Sequence, residues 1–230
     1  MDKFKFVVAT RETQENFFKN TATGKSLKFY RFLNIDVQLF PENKQGLPKV
    51  YNTVIEECKN DPCILIFAHD DLHILDYYWL DKVSTALKTF DIIGLAGSKI
   101  RHPFQPSWCF KEFKDGKFIN ESLENLSGIV GHGKDFPPEN ISVFGAPYQE
   151  VKLMDGLFIA CKSNTLIKNN IRFDQDFKFH FYDLDFCRQA EIKNLKIGTF
   201  DMPLIHQSLG NFYSEEWKTT MKKYLEKWGE

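Results

Sequence analysis

Residues 63–71 read Cys63-Ile-Leu-Ile-Phe-Ala-His-Asp-Asp71 and join an apolar run to a histidine and two adjacent aspartates. The apolar part, Cys63–Ala68, is bounded by turn-forming residues and has the length of a buried strand. In open α/β sheets, ligands bind beyond the carboxyl ends of the strands. We therefore predict a central strand that brings Asp70 and Asp71 to the binding edge of a sheet.

Strand and helix patterns alternate on both sides of this segment. The predicted strands are Phe4–Thr10, Phe29–Leu39, Ile92–Ala96, Leu157–Cys161 and Lys196–Phe200. The predicted helices begin at Pro48 and cover Tyr78–Thr89, Ser163–Asn169, Tyr182–Lys193 and Ser214–Trp228. Such alternation predicts an α/β fold, with a mixed, mostly parallel central sheet flanked by helices.

The stretch 102–148 differs from its surroundings because it is rich in Pro, Gly, Asn and aromatic residues and shows little periodicity. We interpret it as a loop-rich insertion over one face, with a short hairpin at Phe110–Ile119. A chain of 230 residues fits one large α/β domain. We therefore expect residues 1–230 to form a single domain with this insertion and a C-terminal helix at about 214–228.

The composition limits the classes of binding partner and the cellular compartment that we expect for this protein. The chain has 30 Lys+Arg and 31 Asp+Glu, a formal charge of −1, so no global field favours nucleic acid as a partner. No apolar stretch approaches the ~18–20 residues that span a bilayer. Five scattered cysteines and an N-terminus without a signal peptide predict reduced thiols and a cytoplasmic protein.

The acidic pair Asp70-Asp71 allows two interpretations. Adjacent carboxylates at a strand end offer the hard oxygen ligands that Mg²⁺ or Mn²⁺ prefers, with diphosphate oxygens and water completing the shell. His73, two residues further on, could add a nitrogen ligand. Alternatively, one aspartate could simply cap a helix.

Three later segments carry further candidates, each with a structural alternative. Asp183 and Asp185 begin a predicted helix, where they could cap it or where one could act as a general base. His206 follows an apolar strand and could be a ligand or a structural histidine. Asp155-Gly156 could form a turn or line a site. The chain contains no GxGxxG, GxxxxGK[ST] or GxSxG motif, which argues against dehydrogenases, P-loop proteins and α/β-hydrolases.

Taken in order, these segments resemble the family 2 type of glycosyltransferase with the GT-A fold, in a bacterial branch found among surface-polysaccharide and glycoconjugate genes. The matching stretches are Phe6-Val-Val-Ala-Thr10, Gly46-Leu-Pro-Lys-Val-Tyr-Asn52, Ile64-Leu-Ile-Phe-Ala-His-Asp-Asp71, Phe90-Asp-Ile-Ile-Gly-Leu-Ala-Gly97, Met154-Asp-Gly-Leu-Phe158, His180-Phe-Tyr-Asp-Leu-Asp-Phe186 and Ile205-His206.

The resemblance implies metal-assisted, inverting transfer of a sugar from a nucleotide-sugar donor, with a UDP-sugar the first candidate. The acceptor would be a hydroxyl of a glycan, or of a lipid-linked or protein-linked molecule, and the cofactor Mn²⁺ or Mg²⁺. In this pattern Asp71 and His206 bind the metal, Asp70 faces the ribose and Asp183 is the base. The remaining donor-binding candidates are Thr10, Arg11, Glu12, Asp36, Asn52, Asp155 and Gly156.

Two departures from the family pattern leave assignments open. Tyr182 stands where the family has a glutamate before the base, so Asp185 could share or replace the role of Asp183. The second metal ligand could be Asp70, His73 or neither.

Tyr182 and Trp108 are candidates for acceptor contact. Trp108 belongs to a group of insertion aromatics that could stack on sugars or simply pack, together with Phe104, Phe110 and Tyr148.

The tail carries an apolar stripe flanked by lysines. Its members are Phe212, Trp217, Met221, Tyr224, Leu225 and Trp228. The stripe could pack on the sheet, or it could give peripheral contact with a membrane that holds a lipid-linked acceptor. Two other functions also remain open: a nucleotidyltransferase, and a module that binds nucleotide-sugars without turnover.

Overall fold

The computed structural model describes residues 2–208 and 213–229, in which helices and strands alternate. The helices are α1 (Gln14–Asn20), α2 (Ala22–Phe29), α3 (Leu47–Glu57), α4 (Trp79–Ala86), α5 (Ser163–Lys168), α6 (Tyr182–Ile192) and α7 (Glu215–Trp228). The strands are β1 (Phe4–Ala9), β2 (Asp36–Phe40), β3 (Ile64–Ala68), β4 (Leu72–Ile74), β5 (Ile92–Gly94), β6 (Ala96–Ser98), β7 (Phe110–Lys114), β8 (Lys117–Asn120), β9 (Leu126–His132), β10 (Asn140–Gly145), β11 (Glu150–Val151), β12 (Leu153–Met154), β13 (Phe158–Lys162), β14 (Ile197–Thr199) and β15 (Leu204–His206).

The central sheet has seven strands in the order β11-β14-β5-β13-β3-β1-β2. Strand β3 lies inside it, and all five of its residues are buried, as the apolar run predicts. β1 pairs in parallel with β2 and β3, and β5 with β14, whereas β13 and β11 pair antiparallel. The sheet is therefore mixed, and the carboxyl ends of β1, β2 and β3 meet at one edge.

A second sheet lies directly beyond the acidic pair. Its order is β12-β6-β9-β15-β4, and β10 pairs with β9. β4 begins at Leu72, immediately after Asp71, and pairs antiparallel with β15 so that Leu72 faces His206 and His73 faces Ile205. The acidic pair therefore occupies the passage between the two sheets, and β15 brings His206 back to it.

The segment before β2 was predicted wrongly. A strand was expected over Phe29–Leu39, but only residues from Asp36 onward are extended, and helices α1 and α2 precede them. Both helices start at threonines whose side-chain oxygens accept the backbone N–H of Asn16 and Gly24. Gly24 weakens the helical pattern, but it is required because a Cβ there would overlap the backbone of Phe17.

The stretch 102–148 contains more regular structure than its composition predicts. The expected hairpin is present as β7–β8. Strands β9 and β10 were not predicted, because glycines interrupt their alternation. Gly128 and Gly145, for example, adopt positive φ angles of 114° and 154° beside neighbouring backbone.

The C-terminal helix α7 packs its apolar stripe against the body of the protein. Trp217, Met221 and Tyr224 are buried, and Leu225 and Trp228 contact the core. Phe212 lies outside the described residues. The stripe therefore packs rather than facing solvent, so its buried side chains are not available for membrane contact. Among residues 2–208 and 213–229, no helix combines the length and apolar character needed to cross a bilayer.

Candidate active site

The first part of the site joins the ends of β1 and β3. Thr10 follows β1, and its hydroxyl donates to Oδ2 of Asp70 at 2.5 Å. Burial raises the pKa of Asp70, and the Thr10 hydrogen bond acts in the opposite direction. Parallel pairing of β1 with β3 explains why residues so far apart in sequence meet at this edge. Arg11 and Glu12 lie exposed in the loop that follows Thr10.

Three side chains converge on the other side of the acidic motif. One ligand atom from each of His69, Asp71 and His206 lies within 4.8 Å of the other two. Nε2 of His206 is 3.3 Å from Oδ2 of Asp71. Oδ1 of Asp71 is buried and has no hydrogen-bond partner. A buried carboxylate oxygen without a partner costs free energy, and a cation beside it would remove that cost.

The charges of this group favour an ionised aspartate. Burial alone would raise the pKa of Asp71, but the hydrogen bond and the charge of His206 outweigh it and hold that pKa well below its usual range. Burial would lower the pKa of His206, and the same contact with Asp71 raises it instead. A cation bound at Asp71 would displace the proton of His206, because only the neutral imidazole has a lone pair for a metal.

The hydrogen bonds of Tyr182 fix the tautomer of His69. The Tyr182 hydroxyl donates its only proton to the carbonyl oxygen of Gly156 at 2.9 Å. Nε2 of His69 is 3.0 Å from the same hydroxyl and must therefore donate to it. Burial lowers the pKa of His69, which keeps the ring neutral. The lone pair then resides on Nδ1, as metal ligation by this residue requires.

This donor set fits a divalent metal. Imidazole nitrogens of His69 and His206 lie near the ionised carboxylate of Asp71, whose Oδ1 has no partner. No salt-bridging lysine or arginine of the described residues competes for Asp71. Imidazole ligands suit Mn²⁺ and other transition metals better than Mg²⁺, which prefers oxygen ligands.

His73 does not join this group. Its Nε2 is 3.2 Å from the carbonyl oxygen of Lys134, and Gln207 donates to the same carbonyl at 2.7 Å. The reason is the register of β4 with β15. His73 pairs with Ile205 and Leu72 pairs with His206, so the two histidines point to opposite faces of the sheet.

A second carboxylate group lies across the Gly156 peptide. Oδ2 of Asp183 accepts the backbone N–H of Gly156 at 2.8 Å, and Oδ1 accepts that of Leu184 at 2.9 Å. Burial, and then the negative charge of Asp155, raise the pKa of Asp183 to about 7. Gly156 is required here because a Cβ would overlap the Tyr182 hydroxyl and come within 2.9 Å of the Asp183 Cβ.

The insertion contributes Trp108 to this group. Its indole N–H donates to Oδ2 of Asp155 at 2.9 Å, and Leu157 donates its backbone N–H to Oδ1. Trp108 is buried against Phe144, so of the two alternatives for this ring, stacking on a sugar or packing, the structure shows packing. Phe110 is buried as well, whereas Phe104 and Tyr148 are exposed. Trp108 orients Asp155 instead of presenting a free ring.

Three other predicted site residues lie elsewhere. Asp185 is fully buried and bonds Lys227 and Trp228 of α7 at 2.6 and 2.7 Å, so its carboxylate faces away from Asp183. Asn52 exchanges two hydrogen bonds with the backbone of Phe173. Asp36 begins β2 and pairs with Lys5, at the opposite edge of the sheet from the acidic pair.

Sequence comparison places the chain in a family. The sequence profile of the "Glycosyltransferase like family" matches residues 7–228, nearly the whole length. The chain belongs to this family. Among curated protein sequences, none matches it.

Solved structures confirm the fold of this glycosyltransferase-like chain. TarS from S. aureus superposes with a TM-score of 0.50 at 14% identity, over 97% of this chain and 39% of TarS. GalNAc-T7, solved with UDP, GalNAc and Mn²⁺, gives a TM-score of 0.51 at 12% identity, over 98% of this chain and 48% of GalNAc-T7. The chain thus spans less than half of either protein and has the predicted GT-A fold.

Sequence reasoning about this glycosyltransferase-like chain missed His69 as a candidate ligand. The residue stands directly before the acidic pair, and its position at the end of an apolar strand was the available signal. Whether its ring turns toward Asp71 depends on Tyr182, which lies 113 residues away along the chain.

Proposed function

We propose that this chain is a metal-dependent glycosyltransferase that moves a sugar from a nucleotide-sugar donor to an acceptor hydroxyl. The observation that carries the proposal is the connection of two groups through Tyr182 and Gly156. His69 bonds the Tyr182 hydroxyl, Tyr182 bonds the carbonyl of Gly156, and the N–H of Gly156 bonds Asp183. A candidate metal group and a candidate base thus lie side by side at one sheet edge.

His69, Asp71 and His206 would hold the metal. A bound divalent cation would neutralise charge on the diphosphate leaving group of the donor. The imidazole nitrogens favour Mn²⁺ over Mg²⁺. GalNAc-T7, which shares the fold, was solved with UDP and Mn²⁺, and this supports a UDP-sugar as the first donor to test.

Asp183 would take the proton from the acceptor hydroxyl as that oxygen attacks the anomeric carbon, in an inverting displacement. The N–H groups of Gly156 and Leu184 fix its two oxygens and leave other lone pairs for the proton. Its raised pKa of about 7 lies near neutral pH, where such a group is an effective general base. Asp70, held by Thr10, would face the ribose of the donor.

The acceptor would be a glycan hydroxyl, free or on a lipid-linked or protein-linked molecule. Asp155, oriented by Trp108, lies beside Asp183 and would contact the donor sugar or the acceptor. Tyr182 is buried, so its role would be to support His69 and not to touch the acceptor directly.

A donor screen tests the proposal. The purified chain would be incubated with Mn²⁺ and UDP-, GDP-, TDP- or CMP-sugars, with and without glycan acceptors, and released nucleotide measured. We expect release from one nucleotide class, loss of release in Asp71→Asn, and normal release in Asp176→Asn, a matched exposed carboxylate. No release from any donor would contradict transfer. Nucleotide binding without release would identify a binding module instead.

A further inference from the structure

A second surface combines basic charge with exposed rings, away from the site. Residues 16–35 contain four basic residues and no acidic residue, although the whole chain carries a formal charge of −1. The basic residues are Lys19, Lys25, Lys28 and Arg31. This local excess lies on α1, on α2 and on the turn after α2.

Large aromatic side chains emerge beside two of these cations, Lys28 and Arg31. Phe29, Phe32 and Tyr77 are 53%, 63% and 62% exposed, and we call them the aromatic patch. Phe29 and Tyr77 lie with ring centroids 6.0 Å apart, and Phe32 joins them through the buried Tyr30. Scattered apolar side chains on a surface are ordinary, but contiguous exposed rings mark an interaction site.

A cavity opens next to the patch. It has a volume of about 450 Å³, and its walls include the apolar side chains of Leu27, Ile35 and Val37. Lys28 and Arg31 also line it, and both are exposed to solvent. An apolar cavity lined in part by cations suits an amphiphile with an anionic headgroup.

We propose that this face, the aromatic patch with Lys28, Arg31 and the cavity, binds an anionic lipid surface. Aromatic rings favour the boundary between headgroups and acyl chains, and nearby cations are attracted to anionic headgroups. The rings of the patch and Tyr30 are tilted or edge-on to one another, which makes a poor stacking platform for nucleic-acid bases. Pairing with a second copy would bring two basic faces together.

The same face is connected to the acidic motif through α2. The Thr23 hydroxyl donates to the carbonyl oxygen of His69 at 2.7 Å, near the start of the helix. Phe29 ends this helix of eight residues, which is about 12 Å long. If the proposed transfer is correct, the bound membrane would hold a lipid-linked acceptor near the acidic motif. This last point alone rests on the proposed function.

The test is sedimentation of the full chain with vesicles, without donor or metal. Vesicles of phosphatidylcholine alone would be compared with vesicles made of phosphatidylcholine and phosphatidylglycerol in equal amounts. Both would be tested at low and at high salt. We expect binding to the anionic vesicles, weakened by salt, and a loss of roughly tenfold or more in Phe29→Ser/Phe32→Ser and in Lys28→Glu/Arg31→Glu. The matched control, Ile192→Ser/Lys193→Glu, changes an exposed apolar and basic pair elsewhere and should bind normally.

Each other outcome overturns the proposal. Absence of vesicle binding, binding unaffected by both patch variants, or binding to single-stranded RNA in place of vesicles would each do so. Donor hydrolysis by the patch variants should equal that of the unchanged protein, because none of the four residues contacts the site. If the unchanged protein hydrolyses donor but does not bind vesicles, this inference fails and the proposed function stands. If it binds vesicles through the patch but hydrolyses no donor, the proposed function fails and this inference stands.

Discussion

At the scale of single residues, Asp183 is the side chain on which the proposed chemistry depends most. Asp183→Asn keeps an oxygen for the N–H of Gly156 but loses the acceptor for the N–H of Leu184, so circular dichroism must first show an intact fold. The variant side chain cannot take a proton, and we expect the transfer rate to fall by roughly 10²–10⁴-fold. Initial rates with saturating donor measure this, with Asp176→Asn as the control. A fully active Asp183→Asn protein would remove the residue from the mechanism.

The raised pKa of Asp183 predicts a pH dependence. Burial and the charge of Asp155 raise that pKa from 3.8 to about 7, and only the ionised form is a base. Activity should therefore rise with pH and level off above about 7. Because the folded pKa exceeds the unfolded one, this group's stabilising contribution is full below 3.8 and is lost as pH rises through about 7.

The matched variant for this pH dependence is Asp155→Asn. It keeps an oxygen for the indole N–H of Trp108 and removes the neighbouring negative charge. The midpoint of its pH–rate profile should move to lower pH than that of the unchanged protein. A midpoint that stays in place would show that Asp155 does not set the pKa of the base.

Tyr182 is predicted to support metal binding through His69. Tyr182→Phe removes the hydroxyl that accepts the Nε2–H of His69, and loss of such a partner typically weakens metal binding 10–100-fold. Titration with Mn²⁺ in a calorimeter measures the affinity directly. Tyr148→Phe, at an exposed tyrosine, is the control. Equal Mn²⁺ affinities in the unchanged protein and both variants would show that the Tyr182 hydroxyl does not support metal binding by His69.

At the scale of elements, helices α6 and α7 are joined by a buried charge cluster. Asp185 is fully buried and accepts from Lys227 and Trp228, while Arg188 lies over the Trp228 ring at 5.1 Å. This contact holds α6, which begins at Tyr182 and carries Asp183 in its first turn. The carboxylate of Asp185 therefore has a structural role, joining α6 to α7, although it lies only two residues after the proposed base.

Asp185→Ala should lower the free energy of unfolding by about 3 kcal/mol, since it leaves buried donors without their partner. Asp174 bonds the same lysine at 2.6 Å but is less buried, so Asp174→Ala should cost less than about 1 kcal/mol. Urea unfolding of the two variants provides the comparison. Similar losses of unfolding free energy in the two variants would show that burial of the Asp185–Lys227 pair does not determine its contribution to stability.

At the scale of the whole molecule, the candidate metal ligands join two sheets. His69 and Asp71 follow β3 of the central sheet, and His206 ends β15 of the second. A metal bound by all three stabilises the folded chain by about 2.7 kcal/mol when its concentration is 100 times the Kd. Mn²⁺ should therefore raise the Tm of the protein and leave that of Asp71→Asn unchanged. A similar rise in the variant would locate the metal elsewhere.

Local patterns in the sequence determined β3, the acidic pair at its end, and the helices α3, α6 and α7, and the family resemblance predicted the GT-A fold. They could do so because apolar periodicity and strand ends are properties of neighbouring residues. The pattern failed at α2, where Gly24 is explained only by the backbone of Phe17 packed against it.

Tertiary structure alone decided which polar side chains share a site. The register of β4 with β15 turned His73 away and brought His206 to Asp71. Packing of α7 took Asp185 out of the site. Tyr182, far along the chain, selected the tautomer of His69. The direction of a side chain depends on pairing and packing between distant segments, and no local pattern in a single sequence encodes those contacts.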